Sequence, residues 1–161
     1  MSTNKTRVLF VCLGNICRSP TAEAVFAHVV AKEGLAHHFE IDSAGTGDWH
    51  VGEPAHPRTR ETAARRGVSI THLARQVRPH DFDRFDLLIA MDASNAKNLR
   101  NLARTDAHRA KVHLFRDFEP DALVAGQGRE VPDPYYTGQF EEVFDICLRA
   151  SHGLLAHLRA R

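Results

Sequence analysis

The stretch Arg7–Thr21, RVLFVCLGNICRSPT, decides the fold. Its apolar head belongs to a run from Thr6 to Cys12 with the length and composition of a buried strand. That strand delivers Cys12 to a short loop made of Leu13, Gly14, Asn15, Ile16 and Cys17, and Arg18 closes the loop. Ser19-Pro20 then sets a hydroxyl suited to an N-cap before a proline suited to the first helical position. The order is strand, anion-binding loop, helix. It predicts that Ser19 caps the helix, and Gly14 and Asn15 both tolerate the positive φ that a loop needs if successive amides are to point inward.

Beyond the loop, Ala22, Val25, Phe26, Val29 and Val30 fall on one helical face, and Gly34 is placed to end that helix. A second strand is expected over Phe39–Ser43, a basic helix over Pro57–Arg66 stopped by Gly67, and a third strand over Asp86–Met91 entering a helix capped near Asp92. Lys111–Phe115 gives a fourth strand, and the apolar stripe from Phe140 to Leu158 gives a long C-terminal helix. Short β-type runs alternating with 3.6-period runs are the pattern of βαβ units around a parallel sheet. The expected fold is therefore α/β: one three-layer domain over 1–161, a four-stranded parallel sheet flanked by helices, with the loop at the carboxyl end of strand 1. Ligands of open α/β sheets bind beyond the carboxyl ends of the strands, where the strand order reverses. The irregular region Arg116–Gly138 is longer than a connection needs, which points to function.

Bulk composition narrows the class. With 161 residues, 43% of them hydrophobic, the chain suits a single core. Its 21 basic and 20 acidic residues nearly cancel, which excludes the global field of a nucleic-acid or anionic-membrane binder. Val8–Leu13 is too short for a signal-peptide core, and no segment approaches the roughly 20 apolar residues of a membrane span. Three cysteines, two of them on one loop, do not make a disulfide-stapled secreted domain, so a reducing, cytoplasmic monomer is expected. No pair of the eleven histidines has the i, i+4 spacing of a helical metal site backed by a carboxylate, and neither a metal nor another cofactor is expected.

The loop carries its own chemistry. Attack of an anionic nucleophile on a phosphate dianion is opposed by charge, so donors must surround the phosphate oxygens beforehand; backbone amides and a helix N-terminus supply them. The same donors favour a thiolate at Cys12, as comparable cysteines titrate at about 3.5 to 7.5 rather than about 8.5. Arg18 offers a planar fork for two phosphate oxygens and for the charge of the transition state. Ser19 is placed to donate to the thiolate as it leaves. A bare C-x5-R arises by chance; the strand before it, Gly14-Asn15 within it and the helix start after it make it specific.

The string CLGNICRSPTAEA from Cys12 resembles the signature of the low-molecular-weight protein tyrosine phosphatases. Ile41–Gly45, Asp48–Gly52, His72 with Ala74-Arg75-Gln76, Met91-Asp92 and Asp133–Tyr136 resemble further motifs of that family, in its order. The resemblance implies a four-stranded parallel sheet and hydrolysis of phosphotyrosine without metal or organic cofactor. Residue by residue, it implies Cys12 as nucleophile, Arg18 as phosphate-binding arginine and Asp133 as general acid, with Asn15, Ser19, Ser43 and His72 holding the loop in shape. Prolines on both sides of Asp133 restrict its backbone and aim its carboxylate, and an acid so placed contributes about 10²- to 10⁴-fold. Trp49, Leu13, Tyr135 and Tyr136 read as walls of a slot for an aromatic ring. Cys17 is expected to guard Cys12 through a reversible disulfide, and Cys147 to lie in the core. Phosphotyrosine proteins or peptides are the expected partners. Two other readings stay open: a thioredoxin-coupled arsenate reductase on the same fold, and a phosphopeptide-binding module without turnover.

Overall fold

In the computed structural model, residues 4–120 and 129–160 are described. Strands β1 (Thr6–Cys12), β2 (Phe39–Gly45), β3 (Leu87–Ala90) and β4 (Val112–Leu114) form one all-parallel sheet in the order β2-β1-β3-β4. Val8 to Cys12 are all buried, because β1 is central and covered on both faces; such a strand reads as a continuous apolar run. Alternation along it divides the core. Val8, Phe10 and Cys12 face one cluster, Leu9 and Val11 the other.

The four longer helices are α1 (Arg18–Lys32), α2 (Pro57–Arg65), α3 (Ala93–Leu102) and α4 (Phe140–Arg159). α1 and α4 pack together on the Phe10 face, where the Phe10 ring meets Phe26 at 5.7 Å and Phe115 at 5.1 Å, edge to face. On the opposite face Leu99 of α3, with Phe82 and Phe85 of the turn around the one-turn helix Asp81–Arg84, covers Leu9, Val11 and Leu88. This is the expected three-layer α/β architecture. The order reverses at β1, which has β2 on one side and β3 on the other, so the crevice opens where Cys12 ends β1.

One local expectation is corrected. Ser19 does not cap α1: the helix begins at Arg18, Cys17 occupies the cap position without a side-chain cap bond, and Ser19 lies buried in the first turn. Its hydroxyl is drawn to the Cys12 sulfur instead. Gly14 does not use positive φ; in the loop only Asn15 does, at 58°. Gly14 lets the His50 ring come close, since a Cβ there would lie 3.1 Å from that ring and push it outward by a few tenths of an ångström.

β2 runs two residues past its expected end because Ala44 and Gly45 continue the pairing with Val11 and Cys12. Only glycine fits there: a Cβ on Gly45 would lie 2.7 Å from the Leu13 carbonyl oxygen. Asp92 caps α3 as expected, accepting from the Asn95 N–H at 2.7 Å. Within Arg116–Gly138, a 3₁₀ turn (Phe115–Phe118) and a one-turn helix (Pro134–Thr137) bracket residues 121–128, which lie outside the described residues. No described helix is long and apolar enough to cross a membrane.

Candidate active site

The loop closes on its own sulfur. Because β1 ends at Cys12 and α1 starts at Arg18, the intervening chain must turn within a few residues, and the left-handed Asn15 makes the turn. Its N–H donates to Cys12 Sγ at 3.2 Å, and Ser19 Oγ lies 3.0 Å from the same sulfur. Ser19 Oγ accepts from Asn15 Nδ2 at 2.8 Å, and its one hydrogen has two acceptors in reach, Sγ and the Ala44 carbonyl at 3.4 Å.

Asn15 is fixed from both ends of its amide. Nδ2 also donates to Ser43 Oγ at 3.0 Å, while Oδ1 accepts from the Arg75 N–H at 3.0 Å and lies 2.8 Å from His72 Nε2. Ser43 passes its own hydrogen to Glu23 Oε1 at 2.6 Å. The expected support group Ser19, Ser43 and His72 is thus brought together around Asn15. Sequence reasoning missed its outer members, Glu23, Asp42 and Arg75. Burial raises the Glu23 carboxyl to about 7, against the Ser43 hydrogen bond, and lowers the His72 imidazole despite Asp42 beside it.

Arg18 is 3% exposed, deep for a cation. Its Nη1 donates to Asp92 Oδ2 at 2.6 Å and to the Val131 carbonyl at 3.2 Å, and its Nη2 lies 3.5 Å from Asp133 Oδ2. Burial opposes its charge, but Cys12, Asp92 and Asp133 outweigh burial and hold it cationic. Asp133 heads the helix Pro134–Thr137 and accepts from the Tyr135 N–H at 3.1 Å through Oδ1. Asp92 spans two duties, cap of α3 and anchor of Arg18; the sequence signalled only the first.

Cys12, Leu13, Ile16, Arg18 and Asp133 line a cavity of about 350 Å³ whose rim carries Trp49, Tyr135 and Tyr136. Those three rings are more than half exposed, and the two tyrosines meet edge to face at 5.3 Å. Trp49 folds over Gly47, where any side chain would displace the indole ring. His50 also lines the cavity and was missed, although it stands in the Asp48–Gly52 motif. Cys17 is buried beside the cavity, and burial pushes its thiol up to about 12, with Thr59 opposing and Cys12 and Asp133 adding. Cys12, Cys17 and Cys147 are all free thiols, and Cys147 is in the core as expected.

Known proteins are similar to this chain in sequence and fold. A sequence model described as low molecular weight phosphotyrosine protein phosphatase matches residues 7–161. A Streptomyces coelicolor protein named low molecular weight protein-tyrosine-phosphatase is 52% identical over 155 residues, 95% of this chain and 93% of that one. The solved structure of YfkJ from Bacillus subtilis has a TM-score of 0.91 at 45% identity, covering 98% of this chain and 96% of the other. The drosophila arginine phosphatase DARP has a TM-score of 0.85 at 32% identity, covering 94% and 97%.

Proposed function

Since the chain belongs to the low molecular weight phosphotyrosine protein phosphatase family, we propose that it hydrolyses phosphotyrosine in proteins through a phosphate ester of Cys12. The observation that carries this reading is the convergence on one cavity of Cys12 Sγ, which accepts from the Asn15 N–H and touches the Ser19 hydroxyl, with the Arg18 guanidinium and the Asp133 carboxyl.

Loop amides and Arg18 hold the phosphate oxygens while the Cys12 thiolate attacks phosphorus. The P–O bond to the phenol breaks, and the Asp133 carboxyl gives its proton to the departing oxygen. Asp133, now a carboxylate, takes a proton from the incoming water. The water oxygen bonds to phosphorus, the P–S bond breaks, and Ser19 donates to the leaving thiolate, releasing inorganic phosphate. Asp92 acts through Arg18 as a positioning residue. When peroxide oxidises Cys12 to the sulfenic acid, the Cys17 sulfur attacks it, the S–O bond breaks, the oxygen leaves as water, and the disulfide formed is reopened by reduction. A reducing compartment such as the cytoplasm keeps Cys12 competent.

Depth and aromatic walls support tyrosine over serine, whose short side chain leaves its phosphate far from Sγ. The fold shared with DARP supports phosphoarginine as a second reading. Peptides carrying phosphotyrosine, phosphoserine and phosphoarginine in one sequence decide between them. The proposal expects kcat/KM for phosphotyrosine about a hundredfold or more above the others. A preference for phosphoarginine replaces the substrate and keeps the cysteine chemistry; hydrolysis of none of them favours the binding module.

A further inference from the structure

Apart from the residues that line the cavity, three side chains from distant positions converge: Glu23 of α1, Asp42 of β2 and His72, which lies two residues after Ile70. His72 Nδ1 lies 3.3 Å from Glu23 Oε1 and 3.4 Å from Asp42 Oδ1, and one ligand atom from each residue falls within 4.8 Å of the other two.

The other ring nitrogen is already committed. Asn15 presents its oxygen to the Arg75 N–H and its NH₂ group to Ser19 and Ser43, so the atom 2.8 Å from His72 Nε2 is an acceptor and Nε2 carries a hydrogen. Nδ1 is left facing two carboxylate oxygens. Three electron-rich atoms within 4.8 Å of one another repel unless a proton or a metal cation lies among them; Glu23 Oε1 is relieved only in part by the hydrogen it accepts from Ser43.

The spacing suits something larger than a proton. Bonds of about 2.0–2.1 Å from zinc to nitrogen and oxygen separate neighbouring ligands of a tetrahedron by about 3.3–3.4 Å, the nitrogen-to-oxygen distances found here. A ligand histidine whose second nitrogen donates to a carbonyl oxygen is also the usual outer arrangement of a metal site. Arg75 does not block the centre: its Nε binds Asp42 Oδ2 at 3.1 Å, leaving Oδ1 turned toward His72. With Glu23 ionised, as metal binding requires, two carboxylates and one guanidinium that is shared with Asp81 leave a net negative charge for a dication. The Asp42 side chain, 34% exposed, gives entry from solvent.

We propose that Glu23, Asp42 and His72 bind a divalent cation of the zinc type, coupled to the phosphate-binding loop through His72–Asn15 and Glu23–Ser43. Helical-spacing rules cannot find such a site, because each ligand comes from a separate element. The site stands independently of the phosphatase reading.

The Cys12 thiol is itself a zinc ligand, so the test uses Cys12→Ser protein, titrated with Zn²⁺ against a chromophoric chelator, with the His72 imidazole followed by NMR. One Zn²⁺ per chain and a shift of the His72 signals are expected. Adding Asp42→Asn or Glu23→Gln, each checked for folding by circular dichroism, should weaken binding about tenfold or more. The Co²⁺ form should show visible bands of four-coordinate nitrogen and oxygen ligation without thiolate charge transfer. Unmoved His72 signals, or affinity unchanged by both added substitutions, would overturn the proposal.

Discussion

Asn15 shows how much of the site one residue holds. A left-handed backbone at a residue with a side chain costs about 1–2 kcal/mol and persists where its surroundings over-determine it. Here Ser19, Ser43, His72 and Arg75 grip both ends of its amide, which leaves its N–H aimed at Cys12. The sequence made Asn15 legible as a turn residue, but Glu23, Asp42 and Arg75 reach it only through packing. Ser19 was misread for the same reason: capping preference assumes a free backbone N–H as the best partner, whereas the sulfur and Asn15 compete for that hydroxyl. At this scale Cys17 yields a pH prediction. With its thiol pushed up to about 12, the thiolate fraction grows about tenfold per pH unit below that value. After peroxide oxidises Cys12, closure of the Cys12–Cys17 disulfide should therefore accelerate about tenfold per unit between about pH 7 and about pH 9. Mass spectrometry of alkylated, quenched samples measures this. A pH-independent closure rate would remove Cys17 as the attacking thiol.

Elements meet the site at their ends. The carboxyl end of β1 supplies Cys12, the start of α1 supplies Arg18, and the start of α3 supplies Asp92, the cap that also anchors the arginine. Asp133 likewise heads its own short helix, so caps and site residues coincide. Asp92→Asn separates the two duties, because an amide has one acceptor oxygen where the carboxylate uses two. If that oxygen keeps the cap, an NH₂ group faces Arg18; kcat/KM should fall about tenfold or more while stability changes by less than about 1 kcal/mol. Asp92→Ala loses both, and should add about 1 kcal/mol of destabilisation from the missing cap. Steady-state kinetics with urea melts on the pair checks this. Full activity in Asp92→Asn would show that Arg18 needs no anchor.

At the scale of the molecule, the fold was legible because its signals are local: an unbroken apolar run marks a doubly covered strand, and alternating periods mark βα units. The strand order was not, since β1 pairing with both β2 and β3 depends on which faces the helices bury. Phe10, sandwiched between Phe26 and Phe115 in the centre of that arrangement, should behave as a core residue. Phe10→Ala should cost about 3–5 kcal/mol by denaturant unfolding, and a loss below about 1 kcal/mol would contradict the packing described. On the function proposed above, this architecture holds one sulfur under one phosphate, and that is the claim to test. The most direct measurement is rapid quench of Asp133→Ala with p-nitrophenyl phosphate, whose leaving group needs no acid while the second step still lacks its base. The account predicts a burst of about one p-nitrophenolate per chain and a phosphate mass increment on the peptide carrying Cys12. Turnover without a burst, or phosphate on any other residue, would contradict it.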